Sequence, residues 1–220
     1  MKLFIHFACI CTLTVAAFAA NTKSNALAPI QDQPGLPRVL LIGDSISIGY
    51  TPPVRELLKS KANVHRIPAN GGPTIRGLTN IDKWLGDAHW DVIHFNWGIH
   101  DLRFEGGKRQ VEPADYEKNL RILVAKLKTT GAKLIFATTT PIPDGELIPK
   151  RSFGKVPEYN VIAKKVMEEN GVTIDDLNTW ITPHLAEYQN PQDVHYKPEG
   201  YAYLAKQVAA TIEAALPTRK

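Results

Sequence analysis

From Arg38 onward the chain alternates between short apolar runs and longer stretches with helical spacing, and this restricts the fold more than any other feature. "RVLLIG" (38–43) is apolar without a break, as a strand is when both faces of its sheet are covered. "NVHRIP" (63–68), "DVIHFNW" (91–97), "AKLIFATTT" (132–140) and "VTIDDL" (172–177) read as four further strands. Helical spacing predicts a helix over 54–61, with Pro52 and Pro53 in its first turn. In 112–131, Tyr116, Leu120, Leu123, Val124 and Leu127 share one face and Gly131 marks the stop. Further helices are expected at 158–171 and at 200–216, the latter on Leu204, Val208, Ile212 and Leu216. Strand and helix in alternation predict one α/β domain over 38–216, with a parallel sheet covered on both sides. Such sheets bind ligands outside the carboxyl ends of their strands.

The chain before this domain reads differently. Residues 1–19 have a lysine at position 2, an apolar run and an Ala17-Phe18-Ala19 cleavage box, the pattern of a signal peptide. Residues 20–37 are polar with three prolines and read as a flexible tether. A secreted or periplasmic protein is expected. Both cysteines, Cys9 and Cys11, fall in the leader, so the mature chain would hold neither a thiolate nucleophile nor a cysteine metal site. The formal charge of +4 is too mild to suggest nucleic acid, and no later segment is apolar enough to span a membrane. There is no H-E-x-x-H, and His89, His94 and His100 have no helical ligand spacing, so no metal is expected.

Four polar clusters fall at or near strand ends. Gly43-Asp44-Ser45 follows the first strand, "PANGGPT" (68–74) the second, and Gly98-Ile99-His100-Asp101 the third. Asp193 and His195 lie in "NPQDVHYKPEG" (190–200), before the last helix. Each alone has an ordinary reading. Ser45 would serve as a helix cap, the paired glycines as a turn, and Asp-x-His as a chance neighbour pair.

Together the four clusters resemble the blocks of the GDSL-like, or SGNH, hydrolase family, over nearly all of 38–216. The resemblance implies a flavodoxin-like three-layer α/β/α sandwich with a five-stranded parallel sheet, and a serine esterase needing no cofactor and no metal. It implies Ser45 as nucleophile and His195 as general base. Ser45 and Gly72, with Gly71 as alternate, would give backbone N–H groups to the oxyanion hole. Two positions depart from the family pattern. His100 stands where the family has an asparagine donor, and would present a ring N–H once Asn96 or Asp101 oriented it. Gln192 stands three before His195, where the acid usually is, so the acid falls to Asp193; Asp175 and Asp176 are weaker substitutes. Asp44 is expected to support the turn.

The expected function is a secreted serine esterase acting on short-chain acyl esters, acetyl esters of carbohydrates foremost. Its partner would be a small-molecule or polysaccharide ester. A lipid acylhydrolase and an inactive glycan-binding relative are the alternatives. Trp97 and Trp180 read as packing residues before sugar platforms. The basic stretches 106–110 and 149–155 read as solvated loops; if they border the pocket they suit an anionic polysaccharide.

Overall fold

The computed structural model describes residues 26–218, so the expected signal peptide (1–19) and the first part of the tether (20–25) lie outside the described residues. The sheet contains β1 (Arg38–Ile42), β2 (Asn63–Arg66), β3 (Val92–Phe95), β6 (Lys133–Ala137) and β7 (Thr173–Asp175). These strands run parallel in the order β2-β1-β3-β6-β7. That is the flavodoxin-like order, as the family resemblance implies.

The continuous apolar runs have a direct cause. Along β1, Leu40 and Ile42 pack toward one layer, while Val39 and Leu41 pack toward the other. The first layer comprises α2 (Thr74–Leu85), α3 (Pro113–Lys128) and α4 (Val156–Glu169), through Ile81, Trp84, Leu120, Leu123 and Tyr159. The second comprises α1 (Ser45–Leu57) and α7 (Pro198–Ala215), through Tyr50, Val54, Leu204, Val208 and Ile212. Burial on this scale, at about 25 cal/mol per Å² of apolar surface, is what makes the two layers stable. Short helices α5 (Leu177–Ile181) and α6 (Leu185–Tyr188) lead into the His195 loop. No helix among the described residues is long and apolar enough to cross a membrane.

Three expectations need correction. The first helix starts at Ser45, so Pro52 and Pro53 lie inside it. Asp44 caps its start, and burial of Ile46, Tyr50 and Val54 outweighs the donors lost at the prolines. Helix α2 is absent from the expected elements, although Leu78, Ile81, Trp84 and Leu85 give it an apolar face at helical spacing. A Cβ at Gly77 would come within 2.8 Å of Trp97, so the glycine serves packing. Lastly, residues 26–37 of the expected tether lie against the domain. Asn63 binds this stretch at both ends of its side chain: Oδ1 accepts from Gln33 N–H at 2.8 Å, and Nδ2 donates to Gln33 O and Leu36 O. Polar composition alone does not register such partners.

The basic stretch 106–110 forms the tip and second strand of a hairpin, β4 (Phe104–Glu105) and β5 (Lys108–Arg109). Arg109 pairs there with Glu158 at 2.9 Å, on the outside of the domain.

Candidate active site

The turn that presents Ser45 is tightly built. A Cβ at Gly43 would come within 2.7 Å of Ser47 Cβ, so the chain leaves β1 through a glycine. Asp44 Oδ1 then accepts the Ile46 N–H at 2.8 Å, and Ser45 becomes the first residue of α1. Its N–H belongs to the group that a helix start leaves unpaired.

Arg66 reaches beneath this turn from the end of β2. Nη2 donates to Gly43 O at 2.9 Å and Asp44 O at 3.2 Å, and Nη1 donates to Ser47 Oγ at 2.6 Å. Burial pushes the guanidinium down to about 10, which still leaves it charged at neutral pH. A buried cation held by neutral acceptors thus underlies the serine. Sequence reasoning missed this residue. The one hint was an arginine inside an otherwise buried strand, a place charged side chains rarely occupy without partners.

The second cluster meets the first through Gly71, whose N–H donates to Gly43 O at 2.8 Å. A Cβ at Gly71 would sit 3.0 Å from that oxygen, so only glycine allows the approach. Gly71, the alternate oxyanion donor, therefore has its N–H committed. Gly72 has a left-handed φ of 61°, and its N–H donates to Asn70 Oδ1 at 2.9 Å. A side-chain oxygen thus occupies the donor that the family resemblance implies for the oxyanion hole.

At the third cluster, a Cβ on Gly98 would come within 2.0 Å of Thr139 Oγ1, which explains the glycine. His100 follows, half-buried, with no side-chain hydrogen bond among the described residues. Burial holds its imidazole below the usual range; Arg103 and Arg151 lower it further, while Asp44 and Glu105 oppose them. A neutral ring carries one N–H donor.

The expectation that Asn96 or Asp101 orients this ring is not met. Asn96 Nδ2 donates to Ala137 O at 2.8 Å, bracing β3 against β6. Asp101 Oδ1 accepts both the N–H of Thr74 at 2.8 Å and its hydroxyl at 2.5 Å. Both residues are buried and used in joining strand ends to neighbouring segments.

The fold brings His195 and Asp193 to Ser45. His195 Nε2 lies 2.9 Å from Ser45 Oγ, and His195 Nδ1 lies 3.0 Å from each oxygen of Asp193. Burial disfavours the Asp193 anion, yet the bonds to His195 and Arg151 outweigh it and hold the carboxyl below its ordinary range. Arg151, from the basic stretch 149–155, donates to Asp193 Oδ1 at 2.6 Å, so this part of the stretch is no solvated loop. The substitutes Asp175 and Asp176 are engaged elsewhere. Asp175 lies 3.0 Å from the buried His94 Nε2, and Asp176 caps α5 while pairing with Lys164 at 2.6 Å. Trp97 is buried beside Phe95, and Trp180 stacks on Tyr203 at 5.1 Å.

A model of the GDSL-like lipase/acylhydrolase family matches residues 41–203. No curated protein matches the chain. Among solved structures, the fold is similar to a lipase/acylhydrolase from Enterococcus faecalis, with 20% identity and a TM-score of 0.72 over 84% of this chain and all of that one. It is also similar to an acetylxylan esterase from Geobacillus stearothermophilus, with 21% identity and a TM-score of 0.65 over 83% of this chain and 97% of that one. A further acetyl xylan esterase aligns at 18% identity with a TM-score of 0.68, over 80% of this chain and 99% of its own. At these identities the likeness is one of fold.

Proposed function

The chain belongs to the GDSL-like lipase/acylhydrolase family, and on that premise we propose that it is a serine esterase acting on short-chain acyl esters, acetyl esters of carbohydrates in particular. One observation carries the reading: an unbroken series from Ser45 Oγ to His195 at 2.9 Å and from His195 to Asp193 at 3.0 Å.

In this reading Ser45 attacks the ester carbonyl while His195 Nε2 takes its proton, and Asp193 holds the Nδ1–H tautomer. The carbonyl oxygen gains the negative charge. It is met by the N–H of Ser45, by the N–H of Gly72 once Asn70 Oδ1 withdraws, and by the His100 ring N–H. His195 then protonates the leaving alkoxide, and the acyl group remains on Ser45. Water, deprotonated by His195, releases the acid and restores the serine. The buried Arg66 lies under the turn where this charge develops.

The preference for acetyl groups draws support from the two acetylxylan esterases of like fold. Action outside the cytoplasm is part of the same proposal and rests on the leader-like residues 1–19. The test compares the chain with Ser45→Ala on nitrophenyl acetate and on longer-chain esters. Fast acetate hydrolysis that disappears in Ser45→Ala supports the reading. A preference for long chains would favour a lipid acylhydrolase, and equal rates for both proteins would leave only a binding role.

A further inference from the structure

The acid partner of His195 stands one place later in the chain than the family pattern implies, and the structure contains what holds it there. Gln192 occupies the usual position but adopts a left-handed φ of 55°, a conformation side-chain-bearing residues seldom adopt. Its carbonyl accepts the Ile148 N–H at 2.8 Å, and its Nε2 donates to Glu146 O at 3.2 Å. Gln192 is thus tied to the loop between β6 and α4.

That loop is itself anchored. Leu147 packs with Ile99 and Val194. Ser152 O accepts the Phe104 N–H at 2.9 Å, and the Gly154 N–H donates to Leu102 O at 2.7 Å. The loop therefore links the segment that carries His100 to the segment that carries Asp193.

Asp193 needs such support. Its side chain is 24% exposed, so water competes for the carboxylate. Its Oδ1 accepts the Val194 N–H at 2.8 Å and the Arg151 guanidinium at 2.6 Å, which fixes the carboxylate with both oxygens 3.0 Å from His195 Nδ1. The Arg151 side chain is only 15% exposed, so the pair is shielded from much of the screening that weakens surface ion pairs. Charge-assisted bonds of this kind are short and directional.

We propose that Arg151 is a positioning residue, holding the displaced acid Asp193 in register with His195. The proposal rests on the esterase reading above. Arg151 acts through Asp193, and among the described residues it has no hydrogen bond to Ser45. Its loss should fall on turnover and leave substrate binding nearly intact.

The experiment uses the full chain, Ser45→Ala, Arg151→Met and Arg151→Lys, with steady-state hydrolysis of nitrophenyl acetate and thermal unfolding of each. Arg151→Met is expected to lose about tenfold to a hundredfold in kcat, the scale of a misplaced catalytic group. Its KM should stay within about twofold, as for an interaction made at the chemical step. Arg151→Lys should retain most of the turnover. Guanidinium ion, added below denaturing concentrations, should restore part of the turnover to Arg151→Met and none to the native chain. Native kcat in Arg151→Met overturns the proposal. So does a loss that neither lysine nor guanidinium repairs, since a mere loop anchor would behave that way. A native chain no faster than Ser45→Ala defeats the esterase reading itself, and the proposal with it, in a comparison that does not involve Arg151.

Discussion

Asp101 takes both donors of Thr74, the backbone N–H and the hydroxyl, on the single oxygen Oδ1. The start of α2 is thereby fastened to the loop after β3, and Asn119 completes the junction by donating to Thr74 Oγ1 at 3.0 Å. The other oxygen of Asp101 is buried without a hydrogen-bond partner among the described residues.

Burial pushes the Asp101 carboxyl up to about 7, against the partial relief that Thr74 provides. The folded protein therefore holds this proton more tightly than the unfolded chain does. Its stabilising effect is complete below the ordinary carboxylate range, near pH 4, and is lost as pH rises to about 7. Asp101→Asn keeps an acceptor for Thr74 and cannot ionise. Urea unfolding of the two proteins should give curves that draw apart between about pH 4 and pH 7, the variant gaining up to ~4 kcal/mol on the alkaline side. Parallel curves across that window would refute the account.

Arg66 offers a second test. Methionine fills similar space but removes the charged bonds to Gly43 O, Asp44 O and Ser47 Oγ, leaving the two carbonyls only the N–H groups of Gly71 and Ile48. A hydrogen bond to a charged group contributes about 1.5–3 kcal/mol, so Arg66→Met should unfold more easily. Acetyl-ester turnover should fall by about 10²-fold as the serine turn loosens. Lysine cannot serve three acceptors with a fork geometry, so Arg66→Lys should be a poor substitute. Unchanged turnover in Arg66→Met would separate the arginine from the placement of Ser45.

His100 is tested by replacement in two directions. Alanine removes the ring donor and should cost about 10²–10³ in turnover, the usual scale for one oxyanion contact. Asparagine is the residue the family carries at this point, and His100→Asn should remain active. Hydrolysis rates of an acetyl ester decide it. An alanine variant as fast as the native chain would remove His100 from the oxyanion hole.

The parts of the site that were readable in the sequence are those carried by short-range pattern. Ser45 follows a strand directly and Asp193 sits two residues from His195, so the resemblance of these short clusters to the family could assign their chemistry. The central strands β1, β3 and β6 were readable because a sheet buried on both faces leaves largely apolar runs, whereas the outer strands β2 and β7 carry polar residues. Arg66 and Arg151 escaped because their partners are distant in sequence. Arg66 bonds Ser47 across 19 positions, and Arg151 bonds Asp193 across 42. Asn96 and Asp101 were located correctly but linked to the wrong neighbour. Proximity along the chain suggested His100, whereas the fold offered Ala137 and Thr74 in better geometry. Helix α2 carries its own legible apolar face in Leu78, Ile81, Trp84 and Leu85, and only the role of Gly77 is hidden, being defined by a tryptophan 20 positions away.

The stretch 26–37 has a consequence for how the sheet meets its surroundings. β2 is an outermost strand, and such strands present open backbone groups on which another chain can add itself. Here the Val64 carbonyl is taken by Arg55 Nε at 3.0 Å, and the same guanidinium donates to Ala28 O at 3.2 Å. Asn63 and His65 hold the next part of the stretch through Gln33 and Asp32. What reads as a leash in the sequence is a hem sewn along the sheet, and a chain trimmed to begin at Arg38 would leave that border raw and adhesive.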